Sequence, residues 1–492
     1  LKPAFTRNSR RECLARLQHE TFDVLILGGG INGAGVARDL ALRDPAMKIG
    51  LVEQRHFSSG TSGKNSQLIH GGLRYLKNLE IGLVRESLHE RATLLEIAPH
   101  LVKPLRFLIP MYGWFPRFYY GSGLYLYDAL AGGRNVGSHR GLSRSEALDL
   151  EPGLAREGLT SAAVFYDCLI HSARFVLENL FDAARAGAAI VNYCRAGEHK
   201  RLNGAYEVDL TDVLSGRRFV CRARKLIDAT GPWSRAAGLR LVRGSHVILP
   251  RLTSGGHAIA YFEEGGRIIF VIPWGNGDLS LVGTTDVDHD ASADDVSVSR
   301  TEVDYLMSIV RRLFPQSSGV EPVSAYSSLR PLLKSTDASP TKTSREHRIW
   351  ESPGGVLHIA GGKYTTYRAM SEEAAGRLST RACLTRHTPL GGNTPEALAE
   401  VPAELEEYGV LAKYVRQYSG ENGLRSAKLA FAVEHEMVEC LPDLLFISTY
   451  WGYETPQCIP AIGEELGRYL NWDRDRTAEE IRLSRRICAL PE

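Results

Sequence analysis

Three glycines and one acid carry the first chemistry in this chain. Gly28, Gly30 and Gly33 are spaced G-x-G-x-x-G between the apolar run FDVLIL and a segment of helical pattern, and Glu53 lies 20 residues beyond Gly33. The first glycine permits a tight turn, the second lets backbone approach a pyrophosphate, and the third lets the next helix pack on its strand. The helix start adds unpaired N–H groups and partial positive charge for phosphates. Glu53 is placed to accept hydrogen bonds from an adenosine ribose. Together these features predict a dinucleotide site. Two later turns favour FAD over NAD. Ala229-Thr230-Gly231 ends a downstream strand pattern, and Gly361-Gly362 ends another and opens a helix. That helix start can face a flavin ring and stabilise negative charge on it. An ordinary helix-start turn is the competing reading of each; their order after the fingerprint favours the flavin.

The elements that must hold these residues follow from the pattern. FDVLIL, residues 31–43 and KIGLVE (48–53) read as the opening strand–helix–strand unit of a doubly wound sheet. A short surface helix over 9–20 leads into it. Residues 60–72 are rich in Gly, Ser and Thr and predict a loop covering a ligand. Helices are predicted over 79–98 and 172–187, and a strand ending in a turn over 224–233. Residues 241–286 alternate apolar and polar, as an antiparallel sheet does. GGVLHIAGG (354–362) is a strand running into a glycine turn, with a helix from about Thr365. After Gly392 the sequence turns helical and charged. The expected fold is α/β: a doubly wound, Rossmann-like FAD-binding domain (20–95, 171–240 and 341–390), an antiparallel-sheet substrate domain (96–170 and 241–340) and a helical C-terminal domain (391–492).

Bulk composition narrows the classes. Lys and Arg (59) nearly balance Asp and Glu (57), which argues against a dedicated nucleic-acid binder. The eight cysteines include no C-x-x-C pair, which disfavours zinc ribbons and iron–sulfur clusters. Reduced cytosolic thiols are expected rather than a disulfide framework. No apolar run is long enough to span a bilayer, and the first 20 residues lack the apolar core of a secretory signal. The aromatic segment 101–130 has two readings: core, or, with Lys103, Arg106 and Arg117, a surface that enters the bilayer interface.

Several stretches together resemble the FAD-dependent, respiratory and quinone-linked glycerol-3-phosphate dehydrogenase family. They are GGGINGAGVARD (28–39), SQLIHGGLRYL (66–76), ATGPW (229–233), GSH (244–246), IPW (272–274), GTTD (283–286), LRPLL (329–333), the T-x-x-S-R run ending at Arg345, and GGKYTTYR (361–368). The resemblance implies oxidation of glycerol 3-phosphate by hydride transfer to FAD, with quinone as acceptor. It also implies peripheral attachment to the inner face of the cell membrane from the cytoplasm; a homodimer is left open. His246 is the expected base, since an imidazole titrates near neutral pH, with a buried His paired to backbone as its alternative. Arg330 is expected at the reacting centre, and Arg74, Arg345 and Lys363 join it as phosphate cations. Thr284, Thr285 and Tyr75 are further substrate contacts. Ser62, His70, Gly71, Lys363 and Thr365 complete the expected cofactor set. Two departures stand out. The family carries Lys or Arg before the LIHGG run where this chain has Gln67, so a cation near the cofactor is expected to be lost. DLLFISTYWGY (443–453) lacks the family's paired arginines. An oxygen-using oxidase, another small-substrate flavin enzyme of the same fold, or a flavin-binding scaffold without turnover are the competing functions.

Overall fold

The computed structural model describes residues 2–76, 80–113, 116–234, 238–263, 267–334, 347–420 and 423–491; the side chains of Arg74 and of residues 116–122 lie outside that set. Its two sheets follow from two hydrophobic patterns. Within the strand Thr21–Leu27 the continuous apolar run 24–27 is buried on both faces, as a central parallel strand must be. It pairs in parallel with Ile49–Val52 on one side and Arg218–Asp228 on the other. Ala189–Val191 and Leu357–Gly361 extend the parallel sheet at either end, and His347–Glu351 adds an antiparallel edge. Helices Ile31–Arg43, Ser172–Arg185 and Tyr367–Gly376 pack over it.

At the first turn, Gly28 has φ +108°, where an added Cβ would lie 2.5 Å from the Ala229 carbonyl oxygen. A Cβ on Gly33 would lie 2.0 Å from the Gly28 oxygen, so strand and helix touch through bare backbone. Gly33→Ala is therefore expected to cost about 1–3 kcal/mol by overpacking and to lower the bound flavin fraction, read by melting temperature and by absorbance per mole of protein. Unchanged melting and full flavin would refute this account of the turn.

The alternating segments build the second sheet. Its path runs Val287–Asp288, Leu239–Pro250, Leu279–Gly283, Ile268–Trp274, Ala258–Phe262, Val102–Tyr112, Leu159–Ile170 and Leu68–Ile69. Ser324–Leu333 also pairs with Leu239–Pro250. The pairing is antiparallel apart from Ala258–Phe262 against Val102–Tyr112. Two elements thus share the aromatic segment 101–130: the strand Val102–Tyr112 and a helix, Pro116–Ala131. Tyr127 is fully buried, whereas Tyr125 is 72% exposed, so the segment serves core and surface at once; Trp114 and Phe115 lie outside the described residues.

The C-terminal helices, among them Gly423–His435, Ile459–Leu470 and Arg474–Cys488, share one apolar core with the first sheet. Buried Arg174 pairs with buried Glu436 at 2.5 Å, and Ser324 Oγ donates to the Tyr453 carbonyl at 2.6 Å. In 443–453, Asp443 accepts from the Tyr193 hydroxyl at 2.6 Å, and Tyr450 stacks on His171 at 4.5 Å. Tyrosine packing occupies the segment where the family pattern has paired arginines.

Candidate active site

A cavity of about 880 Å³ joins the two sheets, within the size range of cofactor pockets. One end is the glycine turn: Gly28 and Gly30 line it, and Ser62 Oγ accepts the Ile31 N–H at 2.9 Å at the helix start. Glu53 stands on the wall. Its two oxygens accept the backbone N–H groups of Gly29 at 2.7 Å and Arg55 at 2.9 Å, and burial raises its pKa against those bonds. Further along, Ala229, Thr230 and Gly231 face the same space. Asp228 fixes this turn, accepting from Thr230 N at 3.0 Å and Ser234 Oγ at 2.6 Å, with His358 Nδ1 3.0 Å away. Burial opposes its charge, but the bonds from His358, Ser234 and Thr230 prevail and hold its pKa at about 2. Gly361, Gly362 and Lys363 close the end nearest the last parallel strand. Elbow, acid, second turn and volume together fit FAD.

The opposite end is one face of the second sheet. In the antiparallel register His246 stands opposite Tyr326 and Val242 opposite Arg330, so side chains two apart on each strand share a face. His246, Ser328 and Arg330 accordingly line the cavity, with Phe270 from the strand beyond. The glycines of the GSH and GTTD runs leave room: a Cβ on Gly283 would lie 2.2 Å from His246 Cδ2, and one on Gly244 2.3 Å from Arg330 Nη2.

His246 is buried, stacks on Tyr326 at 5.1 Å, and has Nε2 2.8 Å from Ser66 Oγ. Its Nδ1 has no hydrogen-bond partner among the described residues. Burial, reinforced by the Arg330 charge, lowers its pKa to about 3, so the ring is neutral. Arg330 pairs with Asp286 at 2.9 Å and donates to the Thr285 carbonyl at 3.1 Å and Thr284 Oγ1 at 2.8 Å. Lys363 Nζ donates to Ser87 Oγ at 3.0 Å and sits 3.9 Å above the Tyr75 ring.

The remaining expected residues divide. His70, Tyr75 and Thr284 line the cavity. Thr285 does not: its hydroxyl accepts the Ser245 N–H at 2.9 Å and donates to Glu302 at 2.6 Å, on the far face of the sheet. Thr365, expected at the cofactor, is buried and bonds the backbone N and O of His70 at 3.1 and 3.2 Å. Gly71 packs against Tyr127, whose hydroxyl accepts its N–H at 2.8 Å. These three support the wall from behind. Gln67 also turns away from the cavity: its Oε1 accepts the Ser172 N–H at 2.8 Å, capping the helix Ser172–Arg185. Its replacement of a cation therefore bears on that helix start rather than on the cofactor. The side chain of Arg74, and Arg345 altogether, lie outside the described residues.

Sequence reasoning missed Lys64, Ser66, Asp286 and Ser328, all on the wall. Ser66 opens the SQLIHGGLRYL run and Asp286 ends the GTTD run, but only the fold reveals their partners. Ser328 Oγ donates to the Lys64 carbonyl at 2.5 Å and Tyr326 OH to the Asn65 carbonyl at 2.6 Å, which hold the 64–66 loop beside His246. Burial lowers the Lys64 pKa to about 8.

A parallel sheet with a glycine elbow, sharing its cavity with an antiparallel sheet that presents a neutral histidine and a cation, defines a flavin-dependent oxidoreductase. The family model described as FAD dependent oxidoreductase matches residues 23–370, and the cofactor is FAD. Aerobic glycerol-3-phosphate dehydrogenase of Staphylococcus haemolyticus is 31% identical, over 97% of this chain and 96% of that protein. The chain belongs to the FAD-dependent glycerol-3-phosphate dehydrogenase family. Among solved structures, glycerol-3-phosphate dehydrogenase from Bacillus halodurans complexed with FAD matches over 99% of each chain with TM-score 0.80 and 24% identity. L-α-glycerophosphate oxidase from Mycoplasma pneumoniae with FAD bound matches 76% of this chain and 98% of that one, with TM-score 0.58 and 20% identity. These two share the fold.

Proposed function

We propose that the protein oxidises sn-glycerol 3-phosphate to dihydroxyacetone phosphate and passes the electrons to membrane quinone. The observation that carries this reading is the shared cavity: His246 and Arg330 stand on one sheet face and open on the space lined by the dinucleotide turn. The name of the S. haemolyticus relative supports the substrate. Bound FAD supplies the acceptor for the hydride that leaves C2. The neutral His246 ring, whose Nε2 shares a hydrogen bond with Ser66 Oγ, is the base that takes the C2 hydroxyl proton. Arg330 and Lys363 hold the phosphate, with Lys64 adding charge on the same wall; Arg74 and Arg345 are further phosphate cations in this reading. Thr284 and Tyr75 contact the substrate, and Phe262, Ile268 and Phe270 exclude water.

Quinone as acceptor places the protein peripherally on the cytoplasmic face of the cell membrane. No helix of the described residues is long and apolar enough to cross a membrane. Exposed Tyr125 and Leu126 on the helix Pro116–Ala131 supply an apolar surface for such attachment.

Glycerol 3-phosphate added anaerobically should bleach the flavin band near about 450 nm. Unchanged colour would end the proposal for this substrate. Reoxidation of the bleached protein then decides the acceptor: rapid recovery with a soluble quinone and slow recovery in air is expected. Stoichiometric peroxide in air without quinone would make it an oxidase.

A further inference from the structure

The connection that leaves the second sheet after Gly283 lends Thr284, Asp286 and Asp294 to the cavity wall and bonds loops of the first sheet. It begins at Asp286, the partner of Arg330, and continues through Val287–Asp288, which pairs with Val242 and Arg243. Asp288 is bound by Arg240 at 2.6 and 2.7 Å, and the His289 N–H donates to the Leu241 carbonyl at 3.0 Å. Eight residues after Asp286, the Asp294 carboxylate takes two donors from the other side of the cavity. Arg55 Nη2 and Trp233 Nε1 each donate to its Oδ1 at 2.7 Å.

Those two donors flank the expected cofactor path. Arg55 lies two residues after Glu53, and Trp233 lies in the turn that follows Ala229-Thr230-Gly231. Arg55 also lies over the Trp233 ring at 5.5 Å, and the Trp233 ring packs where a Cβ on Gly60 would stand, 2.9 Å away. Asp294, Trp233, Gly60 and Glu53 all line the one cavity.

We propose that Asp294 closes a clasp over the bound dinucleotide, and that the Asp294–Arg55–Trp233 contact retains FAD by bridging the two sheets across the cavity mouth. One carboxylate accepting from a guanidinium and an indole ties three chain segments together, so a dinucleotide lying beneath must wait for the contact to open. Arg55 and Asp294 are themselves about half exposed, so salt screens the contact and opens it more often.

The test uses the holoenzyme without substrate and follows FAD release after dilution by the recovery of free-flavin fluorescence. Trp233→Phe, which removes the indole N–H but keeps a ring, should speed release about tenfold, the effect of losing one charge-assisted hydrogen bond, and Asp294→Ala, which loses the Arg55 bond as well, at least as much. Because Asp294→Ala already breaks the Trp233 bond, the double variant should release little faster than Asp294→Ala alone. Release from the unmodified protein should quicken with ionic strength, and Asp294→Ala should lose most of that dependence. Unchanged release in Asp294→Ala, or effects that multiply in the double variant, would overturn the clasp. Trp233→Phe alters the wall as well, whereas Asp294→Ala trims an exposed loop side chain, so Asp294→Ala is decisive if the two disagree. Anaerobic reduction by glycerol 3-phosphate, measured separately, keeps failure of the clasp distinct from failure of the proposed substrate.

Discussion

Replacing His246 with alanine is expected to slow reduction of bound flavin by glycerol 3-phosphate by about 10²- to 10⁴-fold, the usual worth of a positioned base. Substrate affinity should change only a few-fold, because the proposed phosphate cations lie elsewhere on the wall. The environment without substrate keeps the ring neutral but only weakly basic. Burial and the neighbouring Arg330 charge keep it neutral, at a pKa of about 3, and its Nε2 lies 2.8 Å from Ser66 Oγ. The arriving phosphate brings negative charge, which offsets the Arg330 effect and makes the ring more basic when the proton must move. Alanine leaves a void beside Tyr326, so His246→Gln serves as the second variant: it retains bulk and a polar partner for Ser66 but does not titrate. Stopped-flow reduction across a substrate series separates rate from affinity. Equal losses in both would assign the ring to positioning instead.

Arg330→Ala is expected to weaken glycerol 3-phosphate binding by about 10²-fold, from the loss of about 3 kcal/mol in charge-assisted hydrogen bonding. Two effects point the same way. The guanidinium no longer meets the phosphate, and buried Asp286 loses the cation that balances it, so an uncompensated carboxylate faces the incoming anion. FAD content should stay near that of the unmodified protein, because the contacts found for Arg330 with Thr284, Thr285 and Asp286 belong to the second sheet. Arg330→Lys should recover part of the affinity but not all, since a point charge cannot replace a planar fork. Titration of substrate into the oxidised flavoprotein, with the flavin spectrum as signal, gives both quantities. Lost flavin with substrate affinity unchanged would show that Arg330 serves the cofactor.

The dinucleotide end was legible because its logic is local. Strand, glycine turn, helix and Glu53 sit within one short stretch, and each residue's role follows from neighbours close in sequence. His246 and Arg330 were also legible as residue types, through the stretches that resemble the family. Their common face was not, because it depends on a register between Leu239–Pro250 and Ser324–Leu333 that no local pattern fixes. The same limit explains Thr284 and Thr285. Both carry a hydroxyl at the right place in the chain, yet just past the strand end Thr285 turns to Ser245 and Glu302, and only Thr284 reaches the cavity. Thr365 and Gly71 sit in the expected motifs but turn their polar groups to His70 and Tyr127. Gln67 has φ +54° and a side chain pointing at Ser172, a direction that a one-residue comparison of motifs does not carry.

The late tyrosine packing has a consequence for shortened chains. The Tyr450 hydroxyl lies 3.3 Å from the Gly63 carbonyl, a contact separated by 387 residues, and touches Ser172 at 3.3 Å and Gln67 at 3.4 Å. The Gly63–Gln67 stretch beside the cavity thus draws support from a residue near the other end of the chain. Chains truncated before Tyr450 are therefore expected to hold less flavin per mole of protein than the full chain, which absorbance of the purified proteins checks.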